Sequence, residues 1–117
     1  MWGIDSFVFE EYVVYENYDL FSTEITVAYN SQKITLNDNT LYKFINIYGG
    51  RGGYVKIPLY VIRNLKKRMA YSYDNNYTHD GIQSIMYANG KIELNADANR
   101  ERATQIPPVY KITYSIN

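Results

Sequence analysis

Residues 82–94, IQSIMYANGKIEL, predict a β-hairpin. Asn89 and Gly90 lie between two runs that carry apolar residues. Asn-Gly is the preferred pair for the centre of a type I′ turn, because both central residues of that turn adopt positive φ. This is the clearest local signal in the chain, and it predicts that antiparallel strands shape the fold.

Alternation of β-branched and aromatic residues with polar ones predicts further strands on both sides of this hairpin. These segments are 7–15, 24–29, 33–36, 41–48, 54–57 and 109–116. We expect 24–29 to pair with 33–36 across a turn at residues 30–32. Residues 72–81 are predicted to be a polar loop, and residues 95–108 a loop or a single helical turn that ends at two prolines.

One helix is predicted, over about residues 58–69. Pro58 suits the first turn of a helix, because its fixed φ matches and its missing N–H would have no partner there. Apolar side chains then recur at helical spacing, at Leu59, Ile62, Leu65 and Met69. The predicted fold is a single α+β domain over residues 1–117, a mostly antiparallel β-sheet with one amphipathic helix packed on it.

Composition limits the possible classes of protein. The chain has 117 residues, of which 46% are hydrophobic and none is cysteine. Such a chain can bury a core without disulfides or metals, and the lack of cysteine excludes disulfides, zinc–thiolate sites and a cysteine nucleophile. The first apolar run is broken by Glu10 and Glu11, so we expect neither a secretory signal nor a membrane partner, and a cytoplasmic location.

Tyrosine is unusually frequent, at 14 of the 117 residues. AT-rich coding sequence favours tyrosine, asparagine, isoleucine and lysine, and many virus and phage genomes share this bias. The composition therefore favours a viral, phage or mobile-element origin, with the host cytoplasm as the place of action.

Charge is strongly segregated along a chain whose net charge is zero. Residues 1–38 hold seven acids and one base, whereas residues 39–73 hold seven bases and no acid. The bases are Lys43, Arg51, Lys56, Arg63, Lys66, Lys67 and Arg68. Such asymmetry indicates an anionic partner if the cations are exposed. The alternative is that the acidic first third pairs with the basic middle third inside one fold.

The sequence contains no strong catalytic pattern. His79 is the one histidine, which excludes a metal site built on a histidine pair, and we expect it in an exposed loop. The stretch GGRGGYVK lacks the spacing and the hydroxyl of a phosphotransfer loop. We therefore predict a protein without enzymatic activity or cofactor. A minimal nuclease using Tyr77, His79 and Asp80 is the weakest alternative.

Four glycines surround Arg51, at positions 49, 50, 52 and 53. They suit a long hairpin turn, a phosphate cradle or a loop that inserts Arg51 into a partner. Tyrosines accompany the cations on both sides, and aromatic rings beside cations are typical of single-strand nucleic-acid binding. In the strand 41–48, Tyr42, Phe44 and Tyr48 share a face that we expect to be exposed, opposite Leu41, Ile45 and Ile47.

Residues 53–65, GYVKIPLYVIRNL, resemble the signature of AbrB-like swapped-hairpin DNA-binding domains. The matching positions are Gly53, Val55, Ile57, Pro58, Arg63 and Leu65, and residues 80–94 are loosely similar to the second half of that family. The resemblance implies a dimer that contacts DNA through Arg63 and, more loosely, Arg51. Tyr54 stands where the family has an arginine, and an extra stretch at 66–79 separates the two halves.

These observations predict a small non-enzymatic nucleic-acid-binding protein, with DNA favoured over RNA and with assembly into a homo-oligomer. The predicted contacts are Arg51, Lys56, Arg63, Lys66, Lys67 and Arg68, with Tyr48 and Tyr54 as stacking residues. The alternative is a protein-interaction module, either a virion or tail subunit or an inhibitor of a host defence complex, because tyrosine and arginine are also enriched at protein interfaces.

Overall fold

The computed structural model describes residues 9–17, 29–49, 53–72, 78–100 and 109–117. In chain order the elements are β1 (Glu11–Glu16), β2 (Tyr29–Asn37), β3 (Phe44–Gly49), β4 (Tyr54–Pro58), α1 (Leu59–Arg63), β5 (Met69–Ser72), β6 (Thr78–Ala88), β7 (Lys91–Arg100) and β8 (Val109–Ser115). All pairing between these strands is antiparallel. The predicted α+β class, mostly antiparallel sheet with a single helix, is confirmed.

The strands form two four-stranded sheets. Sheet A has the order β1-β8-β3-β4, and sheet B has the order β2-β7-β6-β5. β8 lies between β1 and β3, although it follows both of them by more than half of the chain. Sheet A is therefore completed by pairing between distant parts of the sequence.

Both sheets and the helix contribute to one apolar core. Where the structure describes the side chains of a strand, inward-pointing residues alternate with outward-pointing ones, as the two-residue period of a strand requires. The largest fully buried side chains are Ile45, Ile47, Ile57, Ile112, Val109 and Tyr114 from sheet A, Ile85, Ile92 and Leu94 from sheet B, and Leu59 and Ile62 from α1. Burial of these side chains is the main favourable contribution to folding.

Gln32 of β2 joins the two sheets by hydrogen bonds. Its Nε2 donates to the Val109 carbonyl oxygen at 2.8 Å, and its Oε1 accepts from the Val109 N–H at 2.7 Å. The same Nε2 lies 2.9 Å from the Tyr15 hydroxyl oxygen. The side-chain amide thus bonds to the first residue of β8 as a neighbouring strand would.

The predicted hairpin at 82–94 is confirmed. β6 and β7 pair from Ala88 and Lys91 onwards. Asn89 has φ of 54° and Gly90 has φ of 73°, so both turn residues lie in the left-handed region that a type I′ turn requires. The strands extend beyond the prediction, because β7 continues to Arg100 where a loop or a single helical turn was expected over 95–108. Residues 101–108 lie outside the described part.

The helix is shorter than predicted. It begins at Leu59 and ends at Arg63, with Pro58 as the last residue of β4 and as the N-cap. The Asn64 side chain donates to the Tyr60 carbonyl oxygen at 2.6 Å, which takes up the acceptor that a continuing helix would use. The N–H groups of Asn64 and Leu65 turn to the carbonyls of Val61 and Ile62, three residues back, as is common where a helix ends.

Two further loop predictions are wrong in the part that the structure describes. Residues 30–32 form no turn, because β2 runs through them and pairs with β7; residues 24–28 lie outside the described part. Of the predicted loop 72–81, Ser72 belongs to β5 and residues 78–81 belong to β6, so His79 lies in a strand. Residues 73–77 lie outside the described part. The loops were predicted from the polar composition of these segments. The segments form strands because β7 lies between β2 and β6 and pairs with both of them.

No helix in the described ranges is long and apolar enough to cross a membrane.

Candidate functional site

The sequence-predicted contact residues fall into separate parts of the structure. Lys56, Tyr48 and Tyr54 lie together on sheet A. Arg63 is on α1, and Lys66, Lys67 and Arg68 follow it in the connection to β5. Arg51 lies outside the described residues. The eight predicted residues therefore do not form one continuous site in the part of the chain that the structure describes.

Arg63 is held in an ion pair with Asp38. Its Nε donates to Asp38 Oδ2 at 2.7 Å, and its Nη2 donates to Asp38 Oδ1 at 2.9 Å and to the Asn39 carbonyl oxygen at 3.2 Å. The Tyr87 hydroxyl donates to Asp38 Oδ2 at 2.9 Å. These hydrogen bonds, led by that of Arg63, keep the pKa of Asp38 below its usual value despite burial. Arg63 is thus a structural cation, engaged by an acid of the N-terminal third.

The connection after α1 carries the free positive charge. We call Lys66, Lys67 and Arg68 the basic segment. All three side chains are exposed, and the described residues offer them no hydrogen bond or ion pair. Tyr60 on α1 is 67% exposed, and exposed Lys43 lies beside the helix start, where its carbonyl accepts the Leu59 N–H. Among the described residues, Asp38 therefore pairs with Arg63, whereas no acid pairs with the basic segment.

A second candidate site lies on the face of sheet A that points away from the core. We call it the polar face. Its members come from four adjacent strands and are Glu11, Asn46, Tyr48, Tyr54, Lys56, Lys111, Thr113 and Ser115. Asn46, Thr113 and Ser115 are buried although they face outward, because the longer side chains around them close over the sheet.

Hydrogen bonds connect the polar face across all four strands. Asn46 Nδ2 donates to Thr113 Oγ1 at 3.1 Å and to Ser115 Oγ at 2.9 Å, and Asn46 Oδ1 accepts from the Tyr54 hydroxyl at 3.0 Å. Glu11 Oε1 accepts from Thr113 Oγ1 at 2.8 Å and from the Tyr48 hydroxyl at 3.0 Å. Such a connected network holds each side chain in one orientation.

Electrostatics on the polar face favour an ionised Glu11 and a neutral Tyr48. The hydrogen bond from Thr113 and then that from Tyr48 lower the pKa of Glu11, with smaller help from Lys111 and Lys56. Burial, followed by the hydrogen bond to Glu11, raises the pKa of Tyr48 to about 12. Tyr48 therefore remains a hydrogen-bond donor at any physiological pH.

The lysines of this face lie over aromatic rings. Lys56 Nζ is 4.6 Å from the centre of the Phe44 ring and donates to the Asn117 carbonyl oxygen. Lys111 Nζ is 5.1 Å from the centre of the Tyr48 ring. The Tyr48 and Tyr54 rings are adjacent, with centres 4.9 Å apart. Tyr48, Tyr54 and Lys56 border a depression of about 260 Å³, which also reaches Glu10, Glu11 and Asn117.

The predicted exposed tyrosine face was partly wrong. Tyr42 precedes β3 and is buried in the core beside Tyr114, whereas Leu41, expected inside, is 61% exposed. Phe44 and Tyr48 do point outward, and Ile45 and Ile47 are buried as predicted. Sequence reasoning missed Glu11, Asn46, Thr113 and Ser115. The alternation of residues 109–116 places Thr113 and Ser115 on one face of that strand, but it does not indicate that Asn46 and Glu11 lie next to them.

The described residues contain no group of three acidic or histidine side chains that could hold a metal ion. No protein-family model, curated protein or solved structure matches the chain.

Proposed function

We propose that the protein binds nucleic acid through the basic segment, without catalysis. The observation that supports this is the exposure of three consecutive cations, Lys66, Lys67 and Arg68, with no acid paired to them in the described ranges. Phosphate contacts from Lys and Arg provide most of the sequence-independent affinity for nucleic acid. The exposed Tyr60 ring supplies a surface on which an unpaired base can stack.

Arg63 is left out of the proposed contacts, since its guanidinium is bound by Asp38. The AbrB-like resemblance would assign DNA contact to Arg63. Because Asp38 already binds this side chain, the proposal rests on the basic segment and not on the resemblance. DNA remains the favoured partner, and the arrangement of cations beside one exposed tyrosine suits a single strand.

Fluorescence anisotropy with labelled single-stranded DNA, duplex DNA and RNA at low salt tests the proposal. We expect binding that weakens as salt rises. In the double variant Lys66→Gln/Lys67→Gln, the logarithm of the association constant should fall less steeply with the logarithm of the salt concentration. The slope should be smaller in magnitude by about 2, close to one for each phosphate that is no longer neutralised. The matched control Lys33→Gln/Lys91→Gln removes the same charge from exposed positions of sheet B and should leave the slope unchanged. Absence of binding at low salt, or an equal reduction in both variants, refutes the proposal.

The outer edge of β1 favours a second function, a protein-interaction module that includes self-association. β1 is an edge strand of sheet A, and it exposes 46% of Tyr12 and 41% of Val13. A groove of about 390 Å³ runs between β1 and the strand β2 of the other sheet. Open strand edges with apolar side chains readily pair with another chain.

Light scattering coupled to size-exclusion chromatography tests this second function. A dimer or larger assembly that Val13→Lys converts to monomer would support pairing through β1. A wild-type monomer at high concentration would exclude self-association through this edge.

A further inference from the structure

The polar face combines a buried polar floor with an open depression, which is unusual for the outer side of a sheet. Asn46 is 2% exposed and Thr113 is fully buried. Their hydrogen bonds with Tyr54, Ser115 and Glu11 satisfy the floor without any ligand. Burying polar groups costs free energy unless they are hydrogen-bonded, so this floor depends on the network that these side chains complete.

Several polar atoms at the rim remain available to a ligand. Glu11 uses only Oε1 in the network, so Oε2 has no hydrogen-bond donor among the described residues. The Lys56 ammonium has three N–H groups, of which one donates to Asn117. An anionic acceptor and a cationic donor thus face the same depression.

An aromatic wall stands beside these polar atoms. Tyr54 is 48% exposed, and its hydroxyl is fixed by Asn46, so the ring is held in place while part of it stays open. Tyr48 supports it at an interplanar angle of 45°. A rigid, half-open ring provides an apolar contact at little entropic cost.

The mixed charges select the chemistry of the ligand. Glu10 and Glu11 both line the depression and would repel a phosphate or a carboxylate, while Lys56 disfavours a cation. A neutral ring with several hydroxyl groups can bond both to the glutamates and to Lys56, because each hydroxyl donates and accepts a hydrogen bond. The C–H face of such a ring packs against Tyr54. A depression of about 260 Å³ lies just below the roughly 300–1,000 Å³ of drug-sized sites, so it admits one such ring.

We propose that this depression is a binding site for one neutral sugar ring, either a free monosaccharide or a residue of a glycan chain. Glu11 and Lys56 bond the sugar hydroxyls, Tyr54 packs against the ring, and Asn46 with Thr113 and Ser115 positions them. The site is separate from the basic segment and independent of nucleic-acid binding.

Amide chemical shifts of the ¹⁵N-labelled protein, titrated with millimolar D-glucose, D-galactose, D-mannose and N-acetyl-D-glucosamine, test the site. We expect at least one sugar to give saturating shifts at Asn46, Tyr54, Lys56 and Ser115. The variant Tyr54→Ala should weaken binding about tenfold, equivalent to one aromatic contact, whereas Tyr60→Ala on α1 should not change it. Lys56→Gln, which leaves the buried network intact, should also weaken binding.

A glycan array distinguishes the two sources of the ring. Binding to both free and immobilised sugars indicates a monosaccharide site, and binding to the array alone indicates a chain, and either result supports the proposal. The proposal is overturned if no sugar shifts these amides and no glycan is bound, or if deoxyadenosine monophosphate shifts them and sugars do not.

Discussion

The Asp38 carboxylate connects the loop after β2 to two other elements, because it accepts hydrogen bonds from Arg63 of α1 and from Tyr87 of β6. Replacing Asp38 by Asn should lower the free energy of unfolding by about 1–3 kcal/mol at neutral pH, because the Arg63 fork and the Tyr87 hydroxyl lose a charged acceptor. Urea denaturation measures the change. Glu93→Gln, which neutralises an exposed carboxylate on β7, is the matched control and should change stability by less than about 0.5 kcal/mol.

The same carboxylate predicts part of the pH dependence of stability. The pKa of Asp38 is lower in the folded protein than in the unfolded chain, so its contribution is complete above the unfolded value of about 4. It is lost as pH falls through the folded value. Asp38→Asn should therefore flatten the acid side of the stability profile, and an unchanged acid limb would contradict the role of the ion pair.

Tyr48 and Glu11 form a second coupled pair, which NMR titration of the tyrosine ring carbons can follow. Tyr48 should titrate at about 12, and Glu11→Gln should move that pKa toward the ordinary value of about 10. Because the folded pKa is raised, the contribution of Tyr48 to stability is complete below about pH 10 and disappears as pH rises through the folded value. Tyr114, whose pKa is raised mainly by burial, is the internal control and should not respond. An unmoved Tyr48 pKa would show that burial alone sets it.

The side-chain partner of each residue was the feature that could least be predicted from the sequence. The sequence allowed an acid of the first third to pair with a base of the middle third, but it did not identify Asp38 and Arg63, which are 25 positions apart. Such pairs depend on which strands become neighbours. Charge patterning along the chain contains no information on that point.

The β6–β7 turn is the element for which backbone conformation decides stability. Gly90 has φ of 73°, and a methyl group at its Cα would have no atom within 4 Å. Gly90→Ala should therefore cost about 1–2 kcal/mol through backbone strain alone. Asn89→Gly, at the other positive-φ position, should change stability by less than about 0.5 kcal/mol. Thermal or urea unfolding checks both, and equal effects would argue against a type I′ turn.

Elements with local signals were predicted well. The Asn-Gly turn, the strands around residues 45 and 56, and the helix start after Pro58 all follow from backbone preferences of a few adjacent residues. The helix end did not, because Leu65 and Met69 keep helical spacing while Met69 already pairs with Ile85 in sheet B. β2 likewise continues through the polar residues 30–32, since its partner strand provides the hydrogen bonds.

The association of the two sheets depends on Gln32 as well as on the core. Gln32→Leu keeps a similar volume but removes the three hydrogen bonds to Val109 and Tyr15. We expect a loss of about 1–3 kcal/mol in unfolding free energy, because the Val109 N–H and carbonyl lose their side-chain partner. Hydrogen exchange should be faster at the Val109 amide than at Ile112 in the variant. Unchanged exchange at Val109 would indicate that another group replaces the amide.

The whole-molecule arrangement was only partly predictable. Two four-stranded sheets around one core agree with the antiparallel expectation, but no local pattern indicated that β8 would lie between β1 and β3. The polar face follows from that order, because it needs side chains of β1, β8, β3 and β4 side by side. A site assembled from four strands therefore could not be recognised before the strand order was known.

The position of β8 between β1 and β3 also limits how much of the protein can fold while it is being synthesised. Glu11 and Thr113, which meet through a hydrogen bond, are 102 positions apart, so a nascent chain cannot close sheet A until nearly all of the residues between them have been made. Until then β1 lacks its neighbour in this sheet, and the edge of β3 that pairs with β8 is open to other chains. Such long-range closure is slow and leaves aggregation-prone intermediates, and expression at lower temperature should raise the soluble yield.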